Sequence, residues 1–244
     1  MNYNMIQQIT KEYYSHFCGT DFTRCGPGIH FVCMPARDEV LKGFGCKYTV
    51  YVLAKNEITI VSYAPKHRDW IEKYKGLPVD EIMAALKCRR DIKTMQLFAF
   101  EEEKVRQFGD AKILTPSDYP LYDVFFRESN PEADPAGWLH EYFTEKAEKG
   151  LLAGYYKEGR LVSVCDAPDM PYMEGKIQHT GIMTLKTERG KGYAKCAAAL
   201  ATHHLIENGI CPQWECDFDN VASTRLAQSI GYVSMGQAYI LEEL

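Results

Sequence analysis

The most restrictive stretch of the sequence is residues 176–209, KIQHTGIMTLKTERGKGYAKCAAALATHHLIENG. It opens as an extended apolar run and passes through a loop with two glycines and several basic side chains. It continues as an alanine-rich helix that stops at Asn208-Gly209. Glycines let a backbone turn tightly and approach a ligand with no Cβ in the way. The first N–H groups of a helix lack internal partners, point outward and carry the positive end of the helix dipole. No proline interrupts the segment, so every amide N–H remains a donor. Arg189, Lys191 and Lys195 add full charges. Such a junction is an anion site suited to a phosphate or pyrophosphate. It is not a P-loop, and a dinucleotide fingerprint would need a third glycine near position 195, which is lysine. Taken alone, Arg189-Gly190-Lys191-Gly192 also fits a solvated helix start.

The rest of the chain places this junction in a longer series. Residues 2–16 read as an amphipathic helix. KYTVYVLA and EITIVSYA flank Lys55-Asn56 as a β-hairpin. HRDWIEKY and VDEIMAALKCRR read as short helices, and MQLFAFEEE as a strand. This part ends near Gly109. Beyond it, AKILTPSDYPLYDVFF gives a strand, a turn and a helix capped by Asp118 or Ser117. AGWLHEYFTEKAEKG is a helix closed by Gly150, and LLAGYYKEGRLVSVCDA is a hairpin around Glu158-Gly159. KIQHTGIMTL is one further strand, followed by the loop and a helix over 192–207. QWECDF is a strand, NVASTRLAQSIG a helix stopped by Gly231, and YVSMGQAYIL a last strand or pair of strands. The chain therefore divides into an α+β domain over 1–109 and a second α/β domain over 110–244.

Composition narrows the class of function. A chain of 244 residues with 46% hydrophobic and 25% charged residues has material for a sizeable core. Its net charge of −5 speaks against a nucleic-acid partner, which needs a basic face. No apolar run approaches the ~18 residues that a membrane helix needs. The N-terminal residues lack an apolar signal core, so a cytoplasmic location is expected. The nine cysteines form no C-x-x-C pair and read as reduced thiols. Cys25, His30 and Cys33 fit none of the usual zinc spacings, and His203 and His204 diverge on their helix, so no metal is expected.

The order strand, two helices, three strands, loop-helix, strand, helix, strand over about 110–244 resembles the GNAT superfamily of N-acyltransferases. That family carries Arg/Gln-x-x-Gly-x-Gly/Ala at the start of its third helix; here it is Arg189-x-x-Gly192-x-Ala194. It also tends to place an Asn after its fifth strand, then a small residue, a Leu and a Gly-aromatic pair. Here these are Asn220, Ser223, Leu226 and Gly231-Tyr232. The resemblance implies the GNAT fold, with a mixed, mostly antiparallel sheet, preceded by a smaller α+β domain on the acceptor side. It implies acetyl-CoA as co-substrate and a small-molecule amine as acceptor, such as an antibiotic or an amino-acid derivative. The layout is similar to GNAT proteins of the zwittermicin-resistance branch. By position, the amides of Arg189, Gly190, Lys191, Gly192, Tyr193 and Ala194 would hold the pyrophosphate. Ile182, Met183 and Thr184 would lie along the pantetheine arm, with Asn220 and Ser223 opposite.

Acyl transfer to an amine needs a neutral nucleophile, donors for an oxyanion and a proton for the departing thiolate. A backbone N–H near Met183 is the expected oxyanion donor. The family's usual proton donor is a tyrosine in its fourth helix, where this chain has Ala227. Tyr232 is the substitute considered first, beside Tyr239; packing is the competing role for both. His179 and Glu215 are the candidate bases; each also has a structural reading, as a hydrogen-bonded imidazole and a rim carboxylate. Period-two alternation puts His179 with Ile177, Gly181 and Met183, and Glu215 with Asp217. Cys216 reads as a buried thiol, since direct transfer needs no acyl-enzyme. Two other readings stay open: a FemX-like aminoacyltransferase and a non-catalytic acyl-CoA sensor. The oligomeric state is left open as well.

Overall fold

A computed structural model describes residues 1–88 and 91–244. Arg89 and Arg90, the end of the expected helix at VDEIMAALKCRR, lie outside the described residues. The first helix, α1 (Tyr3–Cys18), starts where the Asn2 side chain accepts from the Met5 N–H and ends on Gly19 at φ 66°. Ile6, Thr10, Tyr13, Tyr14, Phe17 and Cys18 recur at helical spacing and form its buried face. Then come β1 (Gly28–Cys33), β2 (Lys47–Lys55), β3 (Ile58–Tyr63), α2 (Arg68–Ile71), α3 (Val79–Lys87) and β4 (Ile92–Phe100). The second half contributes β5 (Ala111–Ile113), α4 (Tyr119–Ser129), α5 (Leu139–Glu148), β6 (Ala153–Lys157) and β7 (Arg160–Asp166). It continues with β8 (Ile177–His179), β9 (Gly181–Thr184), α6 (Tyr193–Glu207), β10 (Cys211–Asp217), α7 (Val221–Ile230) and β11 (Tyr232–Glu243).

The strands form two sheets. One has seven strands in the order β1-β3-β2-β11-β4-β10-β8; the other has four, β5-β6-β7-β9. Among the described residues only β1 with β3 and β10 with β8 pair in parallel, so the mixed, mostly antiparallel α/β architecture expected for the GNAT fold is present. The expected boundary at 109/110 falls between β4 and β5. The large sheet draws strands from both sides of it, and β4 sits between β11 and β10. Alternation along β2 divides the packing. Tyr51 and Leu53 join the core beneath α1, while Val50 and Val52 pack with Ile71, Ile82, Tyr239 and Leu241 in a second core.

Three local expectations change. The run GIHFVC, not anticipated as a strand, is edge strand β1. The cap before α4 is reversed: Asp118 reaches back to accept from the Thr115 N–H at 2.7 Å, completing a capping box. The single strand expected at KIQHTGIMTL is two. Ile177 and His179 pair with Cys211 and Gln213 of β10, whereas Gly181–Thr184 pair with β7. The break lies at Thr180, whose N–H and hydroxyl both donate to the Gln213 carbonyl, at 3.1 and 3.2 Å. From that point β9 and β10 diverge into different sheets.

Candidate active site

The divergence opens a cleft of about 730 Å³, with His179 and Thr180 at its vertex. One wall is β9 and the glycine loop; the other is β10 and the start of α7. Lys93 and Met95 of β4 complete the lining. Of the residues assigned to the cofactor, Ile182, Met183, Thr184, Arg189, Gly190, Gly192, Tyr193, Ala194, Asn220 and Ser223 line this cleft. Lys191 does not; it pairs with Glu188 at 2.9 Å.

Local chemistry explains why the loop takes this shape. Gly190 and Gly192 have φ of 76° and 87°, the left-handed region that disfavours a side chain. Gly192 is the N-cap of α6, and a Cβ built there meets no atom within 4 Å beyond its neighbours in the chain. The space in front of the helix start is therefore open to a ligand. Arg189 folds back, its Nε donating to the Thr184 carbonyl at 3.2 Å. The Tyr193 ring stacks on Tyr155 with centroids 4.5 Å apart.

The register of β9 decides which amides face the cleft. The Leu185 N–H donates to the Val162 carbonyl, and Thr184 stands opposite Ser163. Hydrogen-bonded and non-hydrogen-bonded pairs alternate in an antiparallel ladder. The N–H groups of Met183 and Gly181 thus turn to β7, and those of Ile182 and Thr184 turn to the cleft. An oxyanion donor near Met183 would thus be the amide of Ile182 or Thr184, not that of Met183 itself. Across the cleft, Asn220 Oδ1 accepts from the Ser223 N–H at 3.0 Å, and Ser223 Oγ accepts from Trp214 Nε1 at 3.0 Å. Among the described residues neither the Asn220 amide N–H groups nor the Ser223 hydroxyl proton donates to a protein acceptor, and both residues line the cleft.

Both candidate bases line the cleft, and one side chain joins them. His179 Nδ1 lies 2.6 Å from Gln213 Oε1, and Gln213 Nε2 donates to Glu215 Oε2 at 3.1 Å. Gln213 also donates to the Tyr14 hydroxyl at 2.6 Å, and Tyr14 donates to Glu215 at 3.4 Å. Neither Tyr14 nor Gln213 was singled out from the sequence. Gln213 was findable, since alternation places it on the face of Glu215 and Asp217; Tyr14, brought in by α1, gave no local signal.

Tyr232 is not part of the cleft. It is 0% exposed, its ring packs against Phe100 and Trp214, and its hydroxyl bonds Thr202 at 3.1 Å. Burial pushes its phenol up out of its ordinary range. The geometry thus assigns it to packing, and Tyr239, whose hydroxyl donates to Gln237, lies in the other core. Ala227 is buried in α7, while its neighbour Leu226 lines the cleft. Tyr232→Phe is expected to lower stability by about 1 kcal/mol through the lost hydrogen bond, and to leave acetyl-CoA affinity within a few-fold. Urea unfolding and a binding titration on the same variant check both. Cys216 is buried, 3.6 Å from the Thr224 hydroxyl. Among the described residues, no cluster of three or more metal-ligating side chains occurs. No described helix is long and apolar enough to cross a membrane.

A protein of Bacillus subtilis (strain 168), named uncharacterized N-acetyltransferase YdfB, is 30% identical over 107 residues, 43% of this chain and 40% of its own length. A GNAT-family acetyltransferase from Colwellia psychrerythraea matches with a TM-score of 0.52 at 18% identity, over 68% of this chain and 62% of that one. At that identity the likeness speaks for the fold alone. The chain thus spans less than two thirds of the length of either relative. The family model described as GNAT acetyltransferase matches residues 50–240, which include β9, the glycine loop, β10 and α7. With most of its length matched and the cleft inside the match, the chain belongs to the GNAT acetyltransferase family, whose acyl donor is acetyl-CoA.

Proposed function

We propose that this protein moves an acetyl group from acetyl-CoA to a primary amine of a small molecule by direct attack. The observation that supports this best is the parting of β9 from β10 over the start of α6. The residues present fit the donor. The amides of 189–194 and the α6 dipole face open space suited to the pyrophosphate. The Ile182 and Thr184 N–H groups lie where the pantetheine arm would form main-chain hydrogen bonds, with Asn220 and Ser223 opposite. When bound, acetyl-CoA supplies an activated thioester. The protein's part is to hold it, exclude water and manage the amine's protons.

The acceptor would enter beside Glu215 and His179. Residues 1–109 furnish its side of the cleft, through Tyr14 behind Glu215 and through Lys93 and Met95. The carboxylate of Glu215 suits an arriving ammonium ion, whose charge it would balance. One of the two amides at Ile182 and Thr184 would stabilise the developing oxyanion.

Acetyl-CoA at 100 times its dissociation constant should stabilise the protein by about 2.7 kcal/mol. For a chain of this size that is a rise in Tm of roughly 5–10 °C. No shift at millimolar acetyl-CoA would remove the donor assignment. Release of the CoA thiol in the presence of amino acids, polyamines or aminoglycosides tests transfer. A thermal shift with no turnover across those amines would favour the sensor, in keeping with the buried Ala227.

A further inference from the structure

Four side chains from three elements form one closed set of hydrogen bonds, and their donor count fixes its polarity. Glu215, as a carboxylate, can only accept. Gln213 lies 3.1 Å from Glu215 Oε2, so its amide nitrogen, not its oxygen, must face that side. The two amide protons then go to Glu215 and to the Tyr14 oxygen, and the Tyr14 proton goes to Glu215. Burial, with the Glu215 charge beside it, pushes the Tyr14 phenol well above its ordinary range, so that proton stays in place. Gln213 Oε1 is left toward His179 as an acceptor only, 2.6 Å from Nδ1. A donor must stand there, and it is Nδ1–H. Among the described residues Nε2 has no hydrogen-bond partner, and His179 lines the cleft.

We propose that this relay holds neutral His179 as its Nδ1–H tautomer, aiming the Nε2 lone pair at the acceptor amine. His179 is then the group that takes the amine's proton, with Gln213 and Tyr14 as its positioning residues. The role in transfer rests on the function proposed above; the tautomer does not. An acceptor arriving as an ammonium ion loses one proton to free its lone pair and a second as the C–N bond forms. His179 Nε2 takes one of these and passes it on. The C–S bond breaks with its electron pair on sulfur, which leaves as a thiol after protonation. The sum is amide, thiol and one proton released to water.

The test is ¹⁵N NMR of histidine-labelled protein at a pH where His179 is neutral, with no acceptor or acetyl-CoA present. His179→Asn assigns the resonance. The expected spectrum shows a protonated Nδ1 and a lone-pair Nε2, the tautomer that is less populated for free histidine in water. A protonated Nε2, or a fast mixture of both forms, overturns the proposal. Gln213→Leu should release the tautomer toward the ordinary mixture and lower kcat at least tenfold with the KM for acetyl-CoA unchanged. If Gln213→Leu keeps the wild-type spectrum, the relay is not the cause. If that variant does not fold, the wild-type spectrum alone decides. Absence of turnover with every amine would remove the transfer reaction and leave the tautomer to stand or fall by the spectrum.

Discussion

His179→Asn is expected to lower kcat by 10²–10⁴-fold, the usual loss on removing a general base, with the KM for acetyl-CoA near its wild-type value. Asparagine sets an amide donor close to the position of Nδ1, so Gln213 Oε1 keeps a partner and the relay toward Glu215 and Tyr14 survives. What disappears is the second ring nitrogen. The effect should therefore fall on turnover and not on folding or donor binding. Raising the pH should recover part of the loss, because more of the amine then arrives already neutral. Steady-state kinetics across pH with any amine that the wild type acetylates gives the answer. If kcat stays within a few-fold, His179 is a structural histidine and the proton leaves by Glu215 or by water.

Gly192→Val should weaken acetyl-CoA binding on the order of 100-fold while the protein stays folded. Two costs add. A β-branched residue at φ 87° is strained by about 1–3 kcal/mol. Its Cβ would also project into the space that no protein atom fills, where the pyrophosphate is proposed to sit. Strain alone would reduce thermal stability without touching affinity in the folded state. Calorimetric titration of the folded variant separates the two. Gly192→Ala, with the same backbone penalty in milder form and less bulk, should fall between wild type and valine. Unchanged affinity in a folded valine variant would place the phosphates elsewhere.

Much of the site could be read from the sequence because its signals are local. The turn at Glu158-Gly159, with φ of 51° and 79°, and the cap at Asn220 each depend on a few neighbouring residues. Gly231 is also legible as a helix stop, but the force of the requirement is not. A Cβ there would stand 1.6 Å from the Glu102 carbonyl, a contact from a segment over a hundred positions earlier. The misses share this character. β1 is a short edge strand held in parallel by β3. The break at Thr180 arises because two different partners compete for one extended run. Tyr232 follows a helix stop and looked available for chemistry, yet α6 and β4 close over it. The importance of Tyr14 exists only once α1 lies against β10.

The place of β11 in the large sheet bears on how the protein comes together in the cell. Its two neighbours, β2 and β4, both belong to the first hundred residues, while β11 begins at Tyr232. A growing polypeptide therefore delivers the flanking strands long before the one that joins them. Until it arrives, β2 and β4 carry unsatisfied ladders along the middle of the sheet, an adhesive surface for other chains. Nascent protein is thus exposed to aggregation in the interval between the synthesis of β4 and that of β11. A lesion in β11 would likewise split the sheet down its centre, whereas an equal lesion in β1 would only fray a border.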